Sequence, residues 1–376
     1  MISGWPFDAR APGDSAAPFF SIRAAEAEGQ YSCECHVEAR PVRRFDGVNA
    51  LCDAISALAI ALPAEDDRLI CLHAAAVGMA GRLVVFPNVR RAGKSTLAAA
   101  LAGRGHPLFS DDVLPLLFAG DGTAWGLAMG IAPRLRLPLP ETLDPAFRDW
   151  AAAVGGPRNR QYQYLRLKDQ PPHGEIGPVG AFVILDRRDG RVPAVLTPVA
   201  PEAAMDALLH QNFPRDRHSG DVLQAMAGLL AGRSVFRLTY GDLRGAVACL
   251  ERAFAGWPGE RPARRVLPDR HFRLADFGAA TPGRIGRGVP VRQRDDTTEA
   301  EIGGTLYLAD GAGRAIHRMD GLAALIWGLL AEPTIPEAIA ADLAEAFPDM
   351  SAARIEADLR RLVDGLAEKG LVEAAD

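Results

Sequence analysis

Lysine is scarce in this chain. It occurs only at Lys94, Lys168 and Lys369, against thirty-nine arginines, so a lysine between Gly93 and Ser95-Thr96 is a pointed choice. The run PNVRRAGKSTLAAALAGRG follows an apolar stretch, RLVVF, and continues into strong helix formers stopped by glycines, which sets Lys94 at a strand–loop–helix junction. In that setting a compact ammonium lies against the β- and γ-phosphates of a nucleotide. The Ser95 hydroxyl ligates Mg2+, and the helix start adds backbone donors and positive dipole. The expected cofactors are therefore ATP and Mg2+, held by Asn88, Arg90, Arg91, Ala92, Gly93, Lys94, Ser95 and Thr96. The stretch departs from the regular G-x-x-x-x-G-K-[ST] loop. Asn88 stands at the first glycine, a position where asparagine still tolerates positive φ, and Arg91 stands where a small residue is usual. Arg90 and Arg91 leave two readings open: charge aimed at the phosphates, or guanidinium groups folded over the site that reject ATP.

Asp111 and Asp112 follow the helix and its next strand, LFS. Phosphoryl transfer needs one acid to orient or deprotonate an acceptor hydroxyl and another to help hold the metal, so neighbouring acids in different environments suit it. Asp111 is assigned to the hydroxyl and Asp112 to the metal with Ser95. His73, in the strand before the loop strand, is expected to assist. Arg134 and Arg136, in IAPRLRLPLP, alternate onto one face and are candidates for clamping phosphate or substrate. Arg160, Arg166 and Lys168, beside the tyrosines of RQYQYLRLKD, are candidates for a substrate loop. Cys33, Cys35 and His36 lie close together, but strand alternation sends the cysteines to one face and His36 to the other, a packing pattern rather than a metal pattern.

The elements that must carry these residues follow from periodicity. Residues 18–44 read as short extended segments and 46–62 as an amphipathic helix closed by Pro63. LICLHAAAV and RLVVF, joined by Gly78-Met79-Ala80-Gly81, predict a hairpin of two buried strands. HPLFSDDVLPLLF is strand-like, further strands fall at 179–186 and 193–199, and helices at 201–211, 219–231 and 241–255. Residues 256–290, rich in Gly, Pro and Arg, read as a solvated linker. Beyond them come two short strands, Gly303–Leu308 and Ala315–Arg318, and helices near 320–331, 336–347 and 352–369. In the last helix Ile355, Leu359, Leu362 and Leu366 form one stripe.

The chain has 376 residues, 48% hydrophobic and 24% charged, which is ordinary for a globular protein and excludes wholesale disorder. Its formal charge of -5 is uneven: residues 256–290 carry seven basic and three acidic side chains, and residues 291–376 eight and seventeen. The acidic C-terminal part argues against a nucleic-acid partner. Five cysteines without CxxC pairs make no disulfide framework, and no early stretch reads as a signal or a membrane span, so a cytoplasmic location and no membrane partner are expected.

The series LHAAAV, VVFPNVRRAGKSTLAAALAGRGH and LFSDDV resembles the core of HPr kinase/phosphorylase and its relatives, which run H-G-V-x-V, a phosphate loop, R-G-H and D-D-x-V. It covers residues 69–118 closely and the remainder to 255 by layout. The resemblance implies an α/β fold, an HPr-kinase/PEP-carboxykinase-like P-loop domain, with His73, Lys94, Ser95, Asp111 and Asp112 serving the active site of a kinase acting on a protein serine. Residues 291–376 resemble PqqD and related recognition elements of ribosomal-peptide biosynthesis, above all from His317 through Trp327. That resemblance implies a small winged-helix-like domain binding a precursor's leader peptide as an added strand, against the sheet and the third helix.

The expected organisation is a small N-terminal α+β unit (1–68), the kinase-like domain (69–255), the linker (256–290) and the PqqD-like domain (291–376). The expected activity is ATP- and Mg2+-dependent phosphorylation of a Ser or Thr hydroxyl in a precursor peptide recruited through 291–376. Other biosynthetic enzymes and a second copy of the chain are further candidate partners. Two other readings stay open: a peptide-binding chaperone with a decayed phosphate loop, and a small-molecule kinase.

Overall fold

A computed structural model describes residues 3–5, 19–36, 40–87, 92–119, 122–211, 216–258, 269–279 and 283–375. Asn88, Arg90 and Arg91 lie outside them. Contacts divide the chain into two compact units, one of Met1–Pro214 with Leu229–His271, the other of Arg215–Gly228 with Phe272–Asp376.

The first unit opens with β1 (Phe20–Ala24), β2 (Gln30–Cys35) and β3 (Arg43–Asp46), an antiparallel sheet. Cys33 and Cys35 are buried on β2, whereas His36 is exposed and meets the Ser21 hydroxyl. Helix α1 (Gly47–Glu65) is capped by the Asp46 carboxylate, which accepts from the Val48 and Asn49 N–H groups. The helix was expected to close at Pro63 but runs two residues further. A proline in the last turn removes only one donor, and Asp66 N–H still reaches the Leu62 carbonyl.

Strands β4 (Ile70–Met79) and β5 (Arg82–Pro87) form the expected hairpin, with Met79 opposite Arg82. The two turn residues, Ala80 and Gly81, both have positive φ, the geometry that matches the twist of paired strands. Then come α2 (Lys94–Gly103), β6 (Leu108–Ser110), β7 (Val113–Phe118), β8 (Ala124–Leu127), β9 (Arg134–Arg136), α3 (Pro145–Val154), β10 (Tyr162–Tyr164), β11 (Ile176–Arg187), β12 (Val195–Pro198) and α4 (Pro201–Leu209). After α5 (Ser219–Ala231), whose residues divide between the units, come β13 (Ser234–Tyr240) and α6 (Leu243–Ala253). The strand-like run HPLFSDDVLPLLF forms two strands: Asp111 and Asp112, expected at the end of the first, turn the chain between β6 and β7. β13 was not foreseen.

The large sheet runs β12-β13-β11-β5-β4-β7-β8, with β6 against β4. β11 pairs in parallel with β5 and β13 through its later residues, and antiparallel with β8 through Ile176–Pro178. The pairings β11–β5–β4–β7–β8–β11 therefore close on themselves, so these five strands have no open edge along that circuit. Helices α2, α3 and α6 share one apolar core with the sheet, in which Phe86, Leu97, Phe147, Leu238 and Leu250 take part.

In the second unit β14 (Val291–Gln293) pairs with β18 (Val372–Ala374), and β15 (Thr298–Ile302), β16 (Thr305–Ala309) and β17 (Ile316–Arg318) form an antiparallel sheet. Helices α7 (Gly321–Leu329), α8 (Pro336–Ala346) and α9 (Ala352–Glu368) complete it. Ile355, Leu359 and Leu366 of the predicted stripe are buried, with Val363 beside them and Leu362 partly covered. The expected linker is not solvated throughout. Phe272 and Ile285 are buried, and His218 N–H donates to the Arg273 carbonyl as Ala275 N–H does to Asp216. Apolar residues spaced this widely in Gly- and Pro-rich sequence carry no periodicity, so composition hid them.

Phe86 is fully buried at the end of β5, directly before the loop that leads to Lys94. Truncation to Ala leaves a cavity there and should lower the unfolding free energy by about 3–5 kcal/mol in urea titrations.

Candidate functional site

Gly93 caps α2 with φ 93° and provides no side-chain cap hydrogen bond. A Cβ at Gly93 would sit 3.0 Å from the Tyr240 hydroxyl, so both the backbone conformation and the space favour glycine. The helix then begins with Lys94, which is 5% exposed, followed by half-buried Ser95 and Thr96; Ala92 is also half-buried. A buried lysine needs a counter-charge. Asp112 supplies one, since the Lys94 charge acts on its carboxyl.

Asp111 and Asp112 are placed by their neighbour. Ser110 is buried, with Oγ 3.0 Å from the Ala74 carbonyl and 2.7 Å from the Val113 carbonyl, and it accepts from Asp112 N–H at 3.2 Å. This one hydroxyl fastens the turn to β4, where His73 stands opposite Val113. His73 Nε2 consequently lies 3.1 Å from Asp112 Oδ1, and His73 N–H is fixed by the Gln211 carbonyl at 2.8 Å. Arg134 joins from β9, its Nη2 3.7 Å from Asp112 Oδ2 and its backbone N–H donating to Asp111 Oδ2 at 2.8 Å.

The two carboxyl groups are driven in opposite directions. Burial pushes Asp111 up to about 7, helped by the charge of Asp112 and opposed by the Arg134 N–H. Burial would raise Asp112 too, but the hydrogen bond and charge of His73, with Arg134 and Lys94, outweigh it and hold that carboxyl below its ordinary range. One acid is thus poised to exchange a proton near neutrality while its neighbour stays ionised, an arrangement suited to proton abstraction beside a fixed negative charge.

The structure therefore brings His73, Lys94, Asp111, Asp112 and Arg134 together, with Ser95 in the first turn of the same helix. Arg136 shares a face with Arg134, both over the Tyr162 ring at 5.9 and 4.6 Å, but it is exposed and makes no contact with the acid pair. Arg160 is exposed on the turn before β10 and does not line the cleft beside Asp111. Lys168 lines a neighbouring pocket that shares Ala132 and Tyr164 with that cleft. Sequence reasoning missed Ser110, Tyr240, and the cleft residues Cys52 and Tyr164, whose thiol and hydroxyl lie 3.3 Å apart. Ser110 directly precedes the acids, at the end of the expected strand LFS, where nothing in the sequence assigns it a role. Cys52 and Tyr164 come from α1 and β10, 112 positions apart, and no local pattern links them.

The raised carboxyl carries a stability signature. Asp111 binds its proton more tightly folded than unfolded, so its neutral form favours folding below the ordinary carboxylate range, and that contribution is lost as pH rises from about 4 through 7. Asp111→Asn should flatten this dependence. Urea unfolding at pH 5 and pH 8 should show a loss of a few kcal/mol in the parent that the variant lacks.

A family model described as Coenzyme PQQ synthesis protein D (PqqD) matches residues 306–372. No curated protein matches the chain. Among solved structures it is similar to the Hpr(Ser) kinase/phosphatase from Coxiella burnetii, at 13% identity and a TM-score of 0.25, over 49% of this chain and 95% of that one. No helix among the described residues is long and apolar enough to cross a membrane. The PqqD match falls within residues 291–376, whose motifs resemble that family.

Proposed function

We propose that this chain is an ATP- and Mg2+-dependent phosphotransferase acting on a Ser or Thr hydroxyl of a ribosomally made precursor peptide, which its winged-helix-like, PqqD-like C-terminal unit recruits. The observation that carries the reading is the pair of adjacent carboxyls held at opposite proton affinities beside a buried lysine at a helix start.

The residues present suit the cofactors. Gly93 in a left-handed conformation, the first-turn N–H groups of α2 and the Lys94 ammonium support a reading as a polyphosphate site. Mg2+ keeps several waters and needs few carboxylates, so the Ser95 hydroxyl and Asp112 are sufficient protein ligands. No cluster of three His, Cys, Asp or Glu occurs among the described residues, and this site does not call for one. ATP and Mg2+ would supply a transferable phosphoryl group and neutralise its charge. Lys94 and the α2 N–H groups bind the phosphates. Asp111 takes the proton of the acceptor hydroxyl onto a carboxylate oxygen, and Asp112, oriented by His73 and Arg134, remains ionised.

Tethering lowers the demand on this site. A peptide held by the C-terminal unit reaches an effective concentration on the order of millimolar, so the acceptor segment need not bind tightly by itself. Recruitment by strand addition is supported by the place of β17 at one end of its sheet, where among the described residues β16 is its strand partner.

Transfer of labelled γ-phosphate tests the reading. Lys94→Ala should reduce transfer about 10²–10³-fold, and Asp111→Asn about 10²–10⁴-fold, with binding of peptide to the C-terminal unit unchanged. In the parent, kcat/KM should climb with pH and level off above about 7. Transfer unaffected by Lys94→Ala would overturn the assignment.

A further inference from the structure

A pocket without a single acid among its lining residues lies beside the acid pair. It belongs wholly to the first unit, holds about 470 Å³ of space partly open to solvent, and shares Ala132 and Tyr164 with the cleft that Asp111 and Asp112 line. Arg166 and Lys168 both line it, and Lys168 is one of only three lysines in the chain. The backbone that presents them is fixed, since Leu165 N–H donates to the Pro133 carbonyl at 2.9 Å and Arg166 N–H to the Gly155 carbonyl at 3.1 Å. Both cations are exposed, and among the described residues neither has a carboxylate within ion-pair distance. Asp169, between Lys168 and Gln170 in sequence, does not line the pocket. Gln170 does, and its side-chain amide nitrogen is buried with no hydrogen-bond partner among the described residues. A buried donor left without an acceptor is costly, so the pocket favours an occupant that accepts.

Charge and position identify that occupant. An arginine, a lysine and an amide N–H with no acid between them select an anion. Neither the pocket nor the cleft has a lining residue from α2, where the nucleotide phosphates are assigned, so the anion approaches from the acceptor side. In an unmodified ribosomal peptide the only full anions are carboxylates.

We infer that this pocket receives a carboxylate carried by the acceptor peptide next to the hydroxyl that Asp111 deprotonates, either an Asp or Glu side chain or the end of the peptide chain. The inference rests on the proposed function and adds what must surround the acceptor. Arg166 and Lys168 meet the carboxylate oxygens, while the hydroxyl lies in the adjoining cleft on the other side of Tyr164.

Four short acetylated peptides without a leader segment test it by ligand-observed NMR titration against the full chain. Three end in an amide and carry one Ser flanked on both sides by Glu, by Gln or by Lys. The fourth keeps the Gln flanks and ends in a free carboxylate. The Glu peptide should bind at least about 5-fold more tightly than the amidated Gln peptide at low salt, with the Lys peptide weakest, and the differences should shrink at high salt. Lys168→Ala should lower the preference for Glu about 2- to 5-fold. The combined Arg166→Glu and Lys168→Glu variant, altered only at exposed positions, should favour the Lys peptide. Tight binding of the fourth peptide in place of the Glu peptide upholds the pocket and sets the carboxylate at the chain end. Equal affinities for all four peptides, or a preference that the double variant keeps, overturn the inference. So does a Lys168→Ala effect confined to the KM for ATP, since the pocket would then hold nucleotide phosphate. Transfer of labelled γ-phosphate separates the two levels. Transfer that Lys94→Ala abolishes, together with equal peptide affinities, overturns the pocket assignment alone. Selective binding of a carboxylate-bearing peptide without transfer to any of the four upholds the pocket and overturns the kinase.

Discussion

The placement of the acid pair depends on the Ser110 hydroxyl. By joining the Ala74 and Val113 carbonyls and accepting from Asp112 N–H, it holds two carboxyl groups at the end of a short strand, where free chain would let them repel each other into solvent. Once they are held, position decides their character. Asp111 is enclosed and meets a backbone N–H, whereas Asp112 meets an imidazole, a guanidinium and an ammonium. Identical side chains one residue apart thus acquire distinct proton affinities without any difference in covalent chemistry.

The sheet explains why these partners arrive from distant parts of the chain. β4 carries His73, β5 leads toward Lys94, and the β6–β7 turn carries the acids, while β9 contributes Arg134. The closed circuit of β11, β5, β4, β7 and β8 leaves these strands little freedom to slide, because a shift in one register would have to be repeated around the ring. A helix start resting on such a frame is a rigid place from which to present backbone donors.

Much of this was legible before the fold was known, for reasons that differ between residues. Lys94 stood out because lysine is rare here, and the hairpin before it because two apolar runs meet at a glycine-containing turn. His73, Asp111 and Asp112 were found through motif order. Arg134 followed from alternation along a short strand, which predicts a shared face with Arg136 but not which guanidinium reaches the acids. The contributions of Cys52 and Tyr164 were invisible, since tertiary packing alone brings α1 to β10. The linker was misjudged for a related reason: Phe272 and Ile285 bury themselves from a segment whose composition suggests exposure.

The division of the chain bears on how such a protein can be taken apart. Arg215–Gly228 lies inside the stretch that otherwise forms the first unit, yet it clusters with the second, where the Ser219 hydroxyl donates to the Ala315 carbonyl and His218 fits against Gly313. The two units are interleaved along the polypeptide rather than strung end to end. A gene cut between residues 256 and 290 would deliver a downstream fragment missing one of its own building blocks, Arg215–Gly228.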